Sequence, residues 1–135
     1  MHALVLASSS RYRAQLLSKL LVTFTVCSSD VDETALAEET PEALAQRLAF
    51  EKASAVANRY PEHLIIGSDQ VAVCDGRQLG KPGNRSQAIA QLHAQSGRIV
   101  TFHTAICVLD SASGHCLTDL DRCDVHFRTL SDAQI

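Results

Sequence analysis

The chain has no stretch long and apolar enough to cross a membrane. Its longest run without Asp, Glu, Lys or Arg is residues 86–97, and that run is mostly polar, whereas a spanning helix needs about 20 apolar residues. The N-terminal apolar run covers residues 3–7 and stops at three serines and Arg11, too short for a signal peptide. No CxxC pair occurs among Cys27, Cys74, Cys107, Cys116 and Cys123. A scattered odd set without a secretion signal reads as reduced thiols, packed as small hydrophobes in a cytoplasmic chain, and not as zinc ligands. The six histidines show no HExxH or other ligand spacing and read as structural or exposed. GxGxxG and GxxxxGK[ST] are both missing, so neither a dinucleotide fold nor a P-loop is supported. A basic excess is missing too. Twelve Lys plus Arg stand against 15 Asp plus Glu, a net charge of −3, which argues against a nucleic-acid polymer as partner.

Repeats and low-complexity tracts are likewise lacking. What remains is an ordinary globular composition, 46% hydrophobic and 20% charged over 135 residues. One domain, residues 1–135, is the natural reading, and a chain of this length buries roughly two-thirds of its unfolded surface.

Residues 3–7 form a continuous apolar run, the pattern of a strand buried on both faces. Ser8-Ser9-Ser10 follows, then Leu16, Leu17 and Leu20 at helical spacing. Residues 23–26 read as a second short strand, and residues 28–37 as an irregular acidic segment. Thr40-Pro41 is a strong helix start, a capping hydroxyl followed by proline in the first turn. The predicted stripe of that helix is Leu44, Leu48, Ala55 and Val56, running towards Tyr60 and ended by Pro61. Leu64-Ile65-Ile66 is the next buried strand, with Gly67 and Asp69 just past its end. Residues 71–74 and 77–79 form a hairpin around a tight Asp75-Gly76 turn. Residues 86–96 form a third helix with Ala88, Ile89 and Leu92 inward and Gly97 as its stop. A long strand over residues 99–109 then pairs beyond a turn with a half-buried strand in which Cys123, Val125 and Phe127 point inward. Helices alternating with single strands and one hairpin predict an α/β fold with a mixed sheet. Ser131 to Gln134 is a capping box that opens a helix with only Ile135 to follow, so the domain reads as incomplete at its C-terminus.

Four features carry chemistry. The serines at the junction of the first strand and helix, with Arg11 and Arg13, offer hydroxyls, unpaired N–H groups and guanidinium forks suited to phosphate oxygens. Asp32-Glu33 offers hard oxygen ligands for Mg²⁺ or Mn²⁺. Asp69 stands where ligands bind in α/β folds, at the carboxyl end of a strand. Lysine is scarce, Lys19, Lys52 and Lys81 against nine arginines. Lys81 is fixed between Gly80 and Pro82 as a point charge for a phosphate, while Lys52, considered alone, suits a solvated helix face. Together these residues indicate phosphoryl chemistry assisted by a divalent metal.

Leu6-Ala7-Ser8-Ser9-Ser10 with Arg13, Val31-Asp32-Glu33-Thr34, Glu51-Lys52-Ala53, Ile66-Gly67-Ser68-Asp69-Gln70-Val71 and Gly80-Lys81-Pro82 stand in an order that resembles the Maf proteins. These are nucleoside triphosphate pyrophosphatases, which cut between the α- and β-phosphates. Leu64 to Val71 and Asp124-Val125-His126-Phe127-Arg128 are similar to the branch acting on 7-methyl-GTP. The resemblance implies a Maf-like mixed sheet flanked by helices and hydrolysis to the monophosphate and pyrophosphate. It makes Asp69 the proton acceptor and ties Tyr12 and Gln70 to base preference. It places Ser10, Arg13, Lys52 and Lys81 on the phosphates, and Glu33 with Asp69 on a Mg or Mn ion. It also implies a homodimer. Arg11 stands where relatives commonly have Pro, and Tyr12 where they have Trp or Arg. The competing expectation is an inactive Maf-like chain that binds nucleotide or a partner and cuts nothing.

Overall fold

The computed structural model describes residues 3–8, 10–20, 23–79, 84–129 and 131. The elements are β1 (Ala3–Leu6), α1 (Arg11–Ser18), β2 (Thr25–Val26), α2 (Pro41–Ala57), β3 (His63–Cys74), β4 (Arg77–Leu79), α3 (Arg85–Gln95), β5 (Ile99–Asp110) and β6 (Cys116–His126). The six strands form one sheet in the order β2-β1-β3-β5-β6, with β4 paired to β3. β1 runs parallel to β2 and β3, and the remaining pairs are antiparallel. This is the expected mixed α/β architecture.

α2 organises the core. Thr40 caps it by accepting a hydrogen bond from the Ala43 N–H at 3.1 Å, and Pro41 occupies the first turn, where its missing N–H costs nothing. Leu44, Ala45, Leu48, Ala49, Ala53 and Val56 are buried on its inner face, against Val5, Ile65, Val71, Ala105 and Cys107 of the sheet. Each large side chain buried there contributes roughly 1.5–3 kcal/mol. Ala55, assigned to this stripe from the sequence, is exposed instead. The true stripe runs through the small residues Ala45, Ala49 and Ala53, which let the helix come close. Gly67 on β3 shows how close. A Cβ at that position would overlap the carbonyl oxygen of Ala49 and lie 2.9 Å from the Ala53 nitrogen.

Three further expectations change. β2 is only two residues long, because its pairing is limited to Val5 and Leu6 of β1. The strand predicted to end at Ile66 continues unbroken to Cys74 as β3, since β5 pairs with it all the way from Leu64 to Cys74. Asp69 therefore lies inside a strand, not at its carboxyl end. The strand that does end nearby is β1. β1 pairs with β3 as far as Ile66, and β4 takes up pairing from Ala72. Both lie on the edge opposite β5, so among the described residues that edge of β3 is open between residues 67 and 71.

Finally, β6 is not half-buried. Cys123 and Val125 are exposed, Phe127 is only partly covered, and Cys116 and Leu120 alone pack against the core from this strand. β6 is the last strand of the sheet and α2 barely reaches it, so its alternation has no layer to face among the described residues. The Asp75-Gly76 turn is as expected, with φ of 52° and 76° at its two central residues, the backbone of a type I′ hairpin. α3 is capped by Asn84 and stops before Gly97, whose φ is 68°. The capping box at residues 131–134 lies largely outside the described residues.

Candidate functional site

The open edge of β3 is the floor of a cavity of about 430 Å3, within the ~300–1,000 Å3 usual for small-molecule sites. Arg13, Glu33, Lys52, Asp69 and Gln70 line it, so five of the site residues inferred from the sequence converge on one place. Leu48 and Val71 form its apolar wall, and Gln78 and Leu79 on β4 close one side.

Lys52 is at the centre. Its ammonium Nζ lies 2.8 Å from Asp69 Oδ1 and 2.8 Å from Glu33 Oε1. Lys52 is 9% and Asp69 7% exposed, whereas the Glu33 side chain is 58% exposed. A solvated helix face is thus the wrong surroundings for Lys52. The contact of α2 with Gly67 carries the helix so near the strand that the residue beside Ala53 reaches Asp69, two positions further along β3. A buried charge requires pairing, and Lys52 has two carboxylates.

Those carboxylates can do more than neutralise a lysine. Both touch the same nitrogen, so their oxygens are separated by no more than twice 2.8 Å. Among the described residues no three His, Cys, Asp or Glu side chains cluster as a metal site. Two carboxylates are nevertheless a fitting donor set for Mg²⁺, which takes one or two of them and completes its shell with water and substrate phosphates.

The junction of β1 and α1 supplies the adjoining corner. Ser10 is the N-cap of α1 and accepts from the Arg13 N–H at 3.2 Å. The buried Ser8 hydroxyl oxygen accepts from the Ser10 N–H at 3.0 Å and from Arg13 Nη1 at 3.5 Å. Arg13 is thereby aimed at the cavity from a helix N-terminus, where anions are favoured. Gln70 Nε2 donates to Thr104 Oγ1 at 3.0 Å, which ties it to β5. Tyr12 is 68% exposed and does not line the cavity. Lys81 falls outside the described residues, as does Ser9.

The acidic segment that carries Glu33 is tied down locally. Asp32 Oδ1 accepts from the Thr34 N–H at 2.9 Å, and hydrogen bonding to Thr34 holds the Asp32 carboxyl below its ordinary range. Arg47 on α2 grips Glu39 with Nε at 2.7 Å and Nη2 at 3.0 Å. That pairing lowers the pKa of Glu39 and raises that of Arg47. A second cleft, about 230 Å3, lies between α1 and the sheet and is walled by Leu6, Leu16, Leu17, Leu20, Ile66 and Ile106. It is mostly apolar, with Arg13 and Ser68 as its polar lining, and no carboxylate lines it.

Sequence reasoning missed Gln78, Leu79 and Arg47. For Gln78 and Leu79 a signal existed. A two-residue turn fixes hairpin register, and that register sets Gln78 opposite Val73 and Leu79 opposite Ala72, at the margin of the Asp69 strand.

A buried lysine between two carboxylates thus stands in a mixed α/β fold, beside a hydroxyl-capped helix and an inward arginine. The sequence pattern of the family described as Maf-like protein matches residues 3–135, and the chain belongs to that family. It is 50% identical over 132 residues to the 7-methyl-GTP pyrophosphatase of Albidiferax ferrireducens (strain ATCC BAA-621 / DSM 15236 / T118). It is also 50% identical over 132 residues to the 7-methyl-GTP pyrophosphatase of Cupriavidus pinatubonensis (strain JMP 134 / LMG 1197). Each match covers 98% of this chain and 66% of the relative, so the chain spans just under two thirds of their length.

Proposed function

We propose that this chain carries the phosphate-handling part of a nucleoside triphosphate pyrophosphatase acting on 7-methyl-GTP or a related non-canonical nucleotide. The products are the nucleoside monophosphate and pyrophosphate. The observation that supports this reading is the Lys52 ammonium, 2.8 Å from both Asp69 and Glu33, in a cavity that also receives Arg13. The names of the relatives supply the base.

In this reading Asp69 is the general base. Its Oδ1 is engaged by Lys52, so Oδ2 takes a proton from a water whose oxygen bonds to the α-phosphorus, while the bond from that phosphorus to the α,β-bridging oxygen breaks and pyrophosphate leaves with that oxygen. Lys52 holds the Asp69 carboxylate in place by their 2.8 Å ion pair, and with Arg13 and Lys81 it offsets the charge on the phosphates. Ser10 offers its hydroxyl at the helix N-terminus. Glu33 and Asp69 would hold a Mg or Mn ion, which when bound supplies charge neutralisation at the phosphates. Gln70, and Tyr12 from the rim, bear on the choice of base. The five free thiols suit a reducing compartment such as the cytoplasm, and a homodimer is the assembly proposed.

The test is pyrophosphate release from a panel of nucleotides with Mg²⁺ or Mn²⁺ present. Asp69→Asn should lower turnover by about 10²–10⁴-fold, the usual worth of a general base, with nucleotide binding still measurable. Equal rates for variant and parent would remove Asp69 from the mechanism. Orthophosphate without pyrophosphate would make the chain a phosphatase instead.

A further inference from the structure

The cavity depends on a carboxylate that no regular element holds. Glu33 lies in residues 27–40, which contain neither helix nor strand, yet its Oε1 reaches the buried Lys52 ammonium at 2.8 Å. An exposed acidic segment of this kind needs an anchor, and the anchor is on α2, five positions before Lys52.

The Arg47 guanidinium uses its whole fork. Nε and Nη2 donate to the two oxygens of Glu39 at 2.7 and 3.0 Å. Nη1 donates to both oxygens of Glu51, one helical turn on, at 3.1 and 3.0 Å. Nη2 also donates to the main-chain carbonyl of Thr34 at 3.0 Å, the residue next to Glu33. Glu39 Oε1 in turn accepts from the Leu36 N–H at 3.0 Å. The Arg47 side chain is 23% and the Glu39 side chain 8% exposed, unlike an isolated surface pair, which contributes little. One side chain therefore ties the backbone beside Glu33, the far end of the loop and the helix together.

We propose that Arg47 is a positioning residue of the site, fixing the 33–39 segment on α2 so that Glu33 meets Lys52 and Asp69. The consequence for turnover rests on the pyrophosphatase reading above; the clamp itself does not. The clamp requires arginine. A lysine supplies three donors from a single point and cannot reproduce the five donations that Arg47 makes to two carboxylates and a carbonyl.

Two measurements decide it. The first is amide hydrogen exchange on the full chain, parent against Arg47→Met, which keeps an apolar stem and removes every donor. Faster exchange at Thr34 and Leu36, with the interior of α2 unchanged, is the expected result. Unchanged exchange at those amides overturns the clamp, whatever the enzyme does. The second is a double-mutant cycle in pyrophosphate release from 7-methyl-GTP, using Arg47→Met, Glu33→Gln and the pair. If Arg47 acts through Glu33, its loss lowers kcat/KM about tenfold in the parent and by less than about twofold in the Glu33→Gln background, the signature of coupled residues. Equal losses in both backgrounds would show a general structural role and overturn the positioning. Should Arg47→Met not fold, Arg47→Lys replaces it, with the same coupling expected because the charge stays and the fork is gone. A parent that cleaves no nucleotide ends the pyrophosphatase reading and leaves the exchange result to judge the clamp.

Discussion

Helices α1 and α2 begin in the same way, with a hydroxyl cap accepting from the third residue's N–H, Ser10 in one and Thr40 in the other. From there they part. α2 runs for 17 residues and buries seven of them, Lys52 included, whereas α1 runs for eight and buries none. α1 rests over an apolar cleft, with Leu16 43% and Leu20 69% exposed. The cavity draws one cation from each helix, Lys52 from α2 and Arg13 from α1. A cap can start a helix, but burial of a continuous stripe is what fixes it in place. One wall of the site is thus set by the core and the other by a helix that the core scarcely touches.

The comparison can be broken at its apolar anchors. Leu44→Ala, which empties a side chain only 1% exposed, should cost about 2–5 kcal/mol in a denaturant titration. Leu16→Ala should stay within about 0.5 kcal/mol, as exposed substitutions do. Similar losses at both positions would mean that α1 is as firmly seated as α2. An effect between these two is expected at Gly67. Gly67→Ala forces the helix away from the strand, and overpacking of this sort costs about 1–3 kcal/mol. Because the same contact sets Lys52 against Asp69, the pyrophosphatase proposal predicts that turnover falls as well. A variant that loses stability and keeps full turnover would show that the pair tolerates a displaced helix.

The smallest effect expected is at acid pH. The Glu39 carboxyl is held below its ordinary value of 4.5 chiefly by its hydrogen bonds with Arg47. A lowered pKa in the folded state contributes stability above the ordinary value, and that stability is lost as the pH falls through the lowered one. Thermal melts of the parent should therefore decline below about 4.5 more steeply than those of Glu39→Gln. Parallel declines would detach Glu39 from the acid response.

Much of this was legible in the chain. Thr40-Pro41 and Asp75-Gly76 did their work locally, through a cap and a turn that need no distant partner, and the structure has both. The clustered site residues followed from ordered motifs, since Arg13, Glu33, Lys52, Asp69 and Gln70 do meet. What was not legible depends on neighbours far along the sequence. Periodicity could not tell that β3 passes straight through Gly67, because that is decided by pairing with β5. The alternation of β6 was real and had no layer to pack against among the described residues. Spacing put Ala55 in the α2 stripe, whereas the close approach at Gly67 buries Ala49 and Ala53 and leaves Ala55 exposed. Arg47 carries no signal in the sequence, because its partners lie in an irregular segment that propensity does not position.

The tight fit at Gly67 also bears on how the site responds to ionic strength. Salt at physiological concentration screens exposed charges over about 8 Å and buried ones far less. Lys52 owes its place to the main chain of α2 pressing on that of β3, and the ion pair with Asp69 forms because the ammonium is already there. Screening can weaken the attraction without moving the nitrogen. The exposed arm to Glu33 is backed by the charged contacts of Arg47 and not by packed main chain, so added salt works first on the loop side of the site and leaves the sheet side standing.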